Sequence, residues 1–309
     1  MKLSLFDLHC DTAGEMLRQG QGLACNSLAV SLEKASVFQS YIQVMAHWTP
    51  YRLNDEDGWI HFERMLQNLK NDPAIADKKA ILSTVCPKKD HLPTLLLAVE
   101  DVRIVAGKLA RIDTLYQNGI RIITPLWKGL THIGGSHDTN DGLTEFGKKA
   151  LQRAARLGIV LDVSHASVQS ANDIFEICAA EGRPVIASHS NVYDICPVSR
   201  NLHRDQIRAI MESDGLIGIN LYKGFLKKDG MATCEDALRH IEYFLEFGAK
   251  EHLALGCDMD GCDLPPDVPD VSVLPRLADL MQSHGYSQDL IHALFYGNAY
   301  RFAQAYFRN

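Results

Sequence analysis

The sequence has no cysteine pair in C-x-x-C spacing, no apolar run long enough to cross a bilayer, no basic block and no G-x-G-x-x-G turn. Each absence removes a class of function. Without paired thiolates there is no zinc-thiolate site. Without about 18 consecutive apolar residues there is no membrane-spanning helix to expect. A formal net charge of -7 with no basic cluster disfavours nucleic acid, which is held by neutralising phosphates. The eight cysteines are scattered, several inside apolar runs, as buried reduced thiols would be. The opening MKLSLFD is too short and too soon interrupted by Asp7 to resemble a signal segment. The expectation is a cytoplasmic protein without a membrane partner.

What is present suits a large core. The 309 residues are 46% hydrophobic and 22% charged, which excludes low-hydrophobicity disorder and small stapled scaffolds. Eight short runs rich in Ile, Val and Leu recur at residues 3–9, 40–48, 95–100, 121–127, 158–165, 184–190, 216–222 and 253–260. A ninth, residues 80–85, leaves the count open. Most are continuously apolar, as strands covered on both faces must be. Helical patterns lie between them. Residues 144–157 open on the capping Thr144 and stop at Gly158. Residues 168–180, 205–213 and 234–247 follow the same plan. Strand and helix in alternation, with eight strands in about 300 residues, predict an α/β fold of the (β/α)8 TIM-barrel type. A doubly wound open sheet has fewer strands and needs a glycine-rich turn after the first strand. This chain has His9-Cys10-Asp11-Thr12 there. No linker divides it, so residues 1–309 are expected to form one barrel domain. The polar stretch 262–273 reads as a loop over the barrel mouth, and 129–142 as another long loop between the fourth strand and its helix.

The apolar runs end in polar residues. The first ends at His9-Cys10-Asp11, the third at Glu100-Asp101 and the fifth at Ser164-His165. The sixth ends at Ser188-His189-Ser190 and the eighth at Asp258-Met259-Asp260. Strand C-termini converge on one face of a barrel, where active sites are built. His9-x-Asp11 sets two donors on one side of a strand end. With His165, His189 and Glu100 they make five imidazole and carboxylate donors, a set suited to Zn²⁺ and compatible with Mn²⁺, Fe²⁺ or Co²⁺. Five donors exceed the usual three of a single catalytic zinc. A two-cation site sharing Glu100 uses all of them and can activate a water. Unpaired buried charge at four strand ends would otherwise cost several kcal/mol per group, about the scale known for such burial. Asp7 and Asp162, inside their runs, are orienting partners or carboxylates paired elsewhere. His47 also ends a run and is left unassigned.

These segments resemble the membrane (renal) dipeptidase family, binuclear zinc peptidases of the amidohydrolase-type barrel superfamily. The resemblance runs over residues 4–308. It is carried by Asp7-Leu8-His9-Cys10-Asp11, Leu97-Ala98-Val99-Glu100, residues 157–167 (LGIVLDVSHAS), residues 184–201 (PVIASHSNVYDICPVSRN), Gly256-Cys257-Asp258-Met259-Asp260-Gly261, and Gly297-Asn298 with Arg301. It implies a dipeptidase in which His9 and Asp11 bind one Zn²⁺, His165 and His189 a second, and Glu100 bridges them. A hydroxide held between the metals would attack a short peptide, including one with a C-terminal D-residue. Asp258 would carry the proton to the leaving amine. Arg200 would grip the terminal carboxylate, with Tyr222 beside it. A guanidinium fork measures length well, because an internal peptide bond offers no carboxylate. Relatives of the family are often dimers, so a homodimer is implied.

One position departs from the family. Where the mammalian-type enzymes end the fourth strand in T-L-T-H, this chain has Thr124-Pro125-Leu126-Trp127. Trp127 offers an indole N–H in place of an imidazole, and His132 or His137 in the next loop are alternatives. The departure keeps one other reading in play, and a second stands apart from it. One is a binuclear amidohydrolase acting on N-acyl amino acids, cyclic amides or lactones. The other is a non-catalytic metal- or peptide-binding protein that kept the fold, against which the complete ligand set argues.

Overall fold

The computed structural model describes residues 2–86 and 92–308. Nine parallel strands form one sheet: β1 (Leu5–Cys10), β2 (Tyr41–Trp48), β3 (Ile81–Ser83), β4 (Thr94–Glu100), β5 (Ile120–Thr124), β6 (Val160–Asp162), β7 (Val185–Ile186), β8 (Ile217–Ile219) and β9 (Leu253–Leu255). Eight of them follow the order β7-β6-β5-β4-β2-β1-β9-β8. A parallel bridge between Ala187 and Ile217 joins the two ends. The result is a (β/α)8 barrel with helices outside. The ninth run is a real strand but not a stave of the ring. β3 pairs with the first half of β4, Thr94–Leu96, below the point where β5 pairs with Leu97–Glu100.

The strand pattern explains two separate apolar layers. Phe6, Leu8, Ile42, Val44, Leu96, Ala98, Ile122, Val160, Ile186 and Ala254 fill the barrel interior. Tyr296, Ala299, Tyr300 and Phe302 from the closing helices seal its lower end. Intervening residues such as Leu5, Met45, Leu95, Leu97, Val99, Ile123 and Leu161 pack outward against the helices. Burial on both faces is why the runs show no polar alternation. Glu100 shares the parity of Leu96 and Ala98, so it continues the interior column at the mouth.

Helix ends follow the sequence signals. The helix Glu145–Leu157 has Thr144 as its cap, accepting from Gly147 N, and stops at Gly158 with φ 89°. Ser167 caps Val168–Ala180 in the same way. Strand ends differ from expectation. β6 to β9 stop two to five residues before the polar residues that end their runs, as at Asp162 against Ser164-His165. His165 and Asp258 lie in left-handed turns, at φ 66° and 59°. For a residue with a Cβ that conformation costs about 1–2 kcal/mol, and such strain collects at functional sites. Asp11 is likewise off the strand, at the cap position of helix Thr12–Gln19. The donors therefore sit in the turns that cover the strand ends.

Candidate metal centre and active site

Five chain segments bring six polar side chains together. His9 comes from β1, whose register against β2 slips between Asp7 and Cys10. Such an irregularity re-aims a side chain, and it lets His9 face the mouth although Leu8 fills the interior. His9 Nε2 is 3.3 Å from Asp11 Oδ2, 3.5 Å from Glu100 Oε2 and 3.8 Å from Asp258 Oδ1. The other oxygen, Glu100 Oε1, is 2.9 Å from His165 Nε2 and 3.5 Å from His189 Nε2. One Glu100 oxygen thus faces His9 and the other faces His165 and His189. The donor atoms of His9, Glu100 and His189 lie within 4.8 Å of one another, as do those of His9, Asp11 and Asp258.

Hydrogen bonds around the cluster fix the tautomers. His165 Nδ1 is 3.0 Å from the Trp127 carbonyl oxygen, which can only accept, so Nδ1 carries the proton. Ser188 Oγ donates to Asp162 Oδ2 at 2.5 Å and therefore accepts from His189 Nδ1 at 2.7 Å. Both Nε2 atoms are then bare lone pairs, and they face each other at 3.0 Å. Two lone pairs so placed repel unless a cation lies between or beside them. His9 Nε2, Asp11 Oδ1 and Glu100 Oε1 are also buried without a hydrogen bond. Buried polar atoms are rarely left so, and metal ligands are a standard exception. The donor set fits hard-to-borderline divalent cations.

Asp162 and Asp7 show what a structural carboxylate looks like here. Asp162 accepts from Thr124 Oγ1, Ser164 N, Ser188 N and Ser188 Oγ. Asp7 accepts from His9 N and Cys257 N, tying β1 to β9. Both are orienting partners, one behind His189 and one behind His9. His47 is structural too: its Nδ1 lies 3.2 Å from the carbonyls of Met45 and Ala98, away from the mouth.

Charge balance shapes the titration. Burial pushes Asp11 up to about 7, with His9 pulling it back. Burial also raises Asp258, against the attraction of His9. Burial lowers His165 and His189, with Arg200 adding to the effect, so both imidazoles stay neutral and ready to ligate. Glu100 is held well below the carboxylate range, because His9 and His165 outweigh its burial.

Asp258 is held by a partner that the sequence motifs did not single out. Asn220 Nδ2 donates to Asp258 Oδ2 at 3.0 Å, leaving Oδ1 turned toward His9. Asn220 is itself fixed by Asn191, whose Oδ1 accepts from Asn220 N and whose Nδ2 donates to Asn220 O. Gly261 is equally necessary. A Cβ there would overlap Asp11 Oδ2 and Asp258 Oδ1. Gly218 and Gly256 admit the Ser188 carbonyl in the same way, which brings the His189 turn inward.

The cluster opens into a cavity of about 940 Å³. Arg200, Tyr222 and Trp127 all line it. The Arg200 side chain is buried, its Nε has no partner, and its guanidinium lies 5.0 Å above the Phe225 ring. Trp127 packs on Trp48 at 5.0 Å and on His165 at 6.3 Å between ring centres. Of the two loop histidines, His132 is engaged by Asp55 and Gly107 outside the cavity. His137 lines the cavity, 6.0 Å from the His165 ring, with Nδ1 2.8 Å from Ser199 Oγ.

Comparison with known proteins agrees with this geometry. The family model for membrane dipeptidase, peptidase family M19, matches residues 1–306. The chain belongs to the membrane dipeptidase family. Membership makes it a metallo-dipeptidase by class, and the family's dependence on metal matches the donors gathered at the barrel mouth. An uncharacterized protein from the pqqA 5′ region of Klebsiella pneumoniae is 32% identical over 223 residues, 68% of this chain and 81% of that one. The chain spans about half the length of dipeptidase aclJ of Aspergillus oryzae, with 28% identity over 218 residues, 67% of this chain and 50% of that one. Among solved structures, a Rhodobacter sphaeroides metallopeptidase, liganded with a phosphinate mimic of L-Ala-D-Ala, superposes with TM-score 0.91 at 23% identity. That alignment covers 99% of this chain and 100% of the other, and shows the shared fold. No described helix of this membrane dipeptidase family member is long and apolar enough to cross a bilayer.

Proposed function

We propose that the chain is a zinc dipeptidase, working as one barrel domain with two cations at the barrel mouth. The observation that carries the reading is the pair of unprotonated His165 and His189 nitrogens facing each other at 3.0 Å across from a shared Glu100 oxygen. In this reading His9 and Asp11 hold one cation, His165 and His189 the other, and Glu100 spans both. Bound there, the cations supply an activated water and polarise the scissile carbonyl.

The chain's own groups do the rest. Arg200, buried with an unpartnered Nε, takes the substrate's terminal carboxylate. A fork that is already desolvated rewards a free carboxylate and leaves an internal peptide bond unpaired. Phe225 stacks on the guanidinium and Tyr222 packs edge-on to Phe225 at 4.6 Å, which fixes that end of the cavity. Asp258 accepts a proton at Oδ1 and releases it to the leaving amine, while Asn220 holds Oδ2. Trp127 contributes through its carbonyl, which sets the His165 tautomer, and through its ring, which walls off water.

The test is a metal-reconstituted sample assayed on L-Ala-L-Ala, L-Ala-D-Ala, their amides and N-acetyl-alanine. Two equivalents of Zn²⁺ bound and cleavage of the free dipeptides but not the amides are expected. Less than one equivalent of metal, or cleavage of N-acetyl-alanine alone, would refute the reading.

A further inference from the structure

The cavity lining carries several cations besides Arg200, in a chain whose net charge is -7. Arg52, Arg64 and Lys128 all line the cavity. Among the described residues, none of the three has a hydrogen bond or ion pair. This sets them apart from most arginines of the molecule. Arg18, in the same lining, is tied to Glu15, and Arg103, Arg111, Arg153, Arg156 and Arg204 all have carboxylate partners. Unpaired cations gathered at a concave surface focus a positive potential into it.

Their placement is set by the topology. Arg52 lies in the turn after β2, and Arg64 on the helix Asp55–Lys70 that follows. His61, one turn before Arg64, also lines the cavity, and burial together with Arg64 and Arg52 pushes its imidazole down. The two arginines therefore act on the same spot. Lys128 follows Trp127, beyond β5, midway round the ring between β2 and β7, and both it and Arg200 act on His137. Arg200 follows β7, and β7 and β2 stand four places apart in the ring of eight, on opposite sides. A short peptide with its carboxylate at Arg200 and its scissile bond over Glu100 and Asp258 extends its first residue toward the β2 side.

We propose that Arg52 and Arg64 on the β2 side, with Lys128 contributing from the β5 side, form a subsite for an anionic side chain on the substrate's N-terminal residue, so that the substrates are dipeptides beginning with glutamate or aspartate. This rests on the dipeptidase reading above. A neutral first residue would bring its α-ammonium alone toward three unpaired cations. A side-chain carboxylate answers them. Exposed ion pairs of this kind contribute up to about fivefold each, so about tenfold is expected from the group.

The experiment compares kcat/KM for L-Glu-L-Ala, its isomer L-Ala-L-Glu, L-Ala-L-Ala and L-Lys-L-Ala with the metal-loaded enzyme. The isomers carry the same charge, so general attraction of anions affects both alike. L-Glu-L-Ala is expected to exceed L-Ala-L-Glu about tenfold and L-Lys-L-Ala by more, with the preference shrinking as salt is raised. In Arg52→Glu/Arg64→Glu, and separately in Lys128→Glu, the Glu-Ala to Ala-Ala ratio should fall. Equal rates for the two isomers, or an unaltered ratio in the double variant, would overturn the subsite and leave the dipeptidase reading standing if L-Ala-L-Ala is cleaved. Failure to cleave any dipeptide would overturn both.

Discussion

Replacing Asp258 by asparagine separates proton transfer from metal binding. The amide is nearly isosteric, and its orientation is dictated by the surroundings. Asn220 Nδ2 stands 3.0 Å from Asp258 Oδ2 and can only donate, so the new carbonyl oxygen must take that place. The new NH₂ then occupies the position of Oδ1, 3.8 Å from His9 Nε2, where it can accept no proton. Positioned proton transfer contributes about 10²–10⁴-fold, or about 3–5 kcal/mol of barrier. Turnover should fall by that factor. Burial already disfavours the Asp258 charge, so removing it should leave the thermal midpoint unchanged or raise it. The assay is kcat on a dipeptide alongside metal content by mass spectrometry. The expected variant keeps both zinc equivalents and loses turnover. Activity within tenfold of the parent would refute the proton-carrying role. Loss of a metal equivalent would show instead that Asp258 is a ligand, as its place beside His9 and Asp11 permits.

Two further substitutions probe the frame around the site. Gly261→Ala puts a methyl group into Asp11 Oδ2 and Asp258 Oδ1, so metal affinity and kcat should both fall at least tenfold while the circular dichroism spectrum is retained; parent-like metal binding would show that the loop yields. His240 is buried and neutral, with Nδ1 accepting from Val192 N, Nε2 donating to the Leu226 carbonyl, and burial lowering its pKa to about 4. Its unfolded form binds a proton below about 6.5 and its folded form does not, so its contribution is lost as pH falls from there toward 4. The linkage is worth about 2 kcal/mol at pH 5, and urea unfolding at pH 7 and pH 5 should show that much less acid sensitivity in His240→Gln. An identical pH dependence in the two proteins would contradict the assignment.

Much of the architecture was legible because burial on both faces leaves a direct mark. A strand between a barrel interior and a helical shell must be apolar at every position, and the runs around Val44, Leu96, Ile122 and Val160 are. Helix caps were legible for a similar reason, since Thr144 and Gly158 satisfy local backbone groups that any helix end must satisfy. The six residues His9, Asp11, Glu100, His165, His189 and Asp258 stood out because charge at the end of an apolar run has no packing explanation. The exact strand ends were not legible. β6 to β9 stop early because the donors need tight turns, and the left-handed conformations at His165 and Asp258 leave no compositional trace.

The linear order of residues was enough to determine the period of the fold and the kinds of donor at its mouth, because hydrophobic burial and ligand chemistry are properties of residue type. Distances between segments are not. Only the closed ring could set Glu100 between His9 and the His165–His189 pair, turn His165 and His189 toward each other, and place Asn220 behind Asp258. Only the ring order puts the unpaired cations after β2 across the cavity from Arg200 after β7. Those relations depend on which strands are neighbours and which are opposite, and that is settled by packing the whole chain around one core.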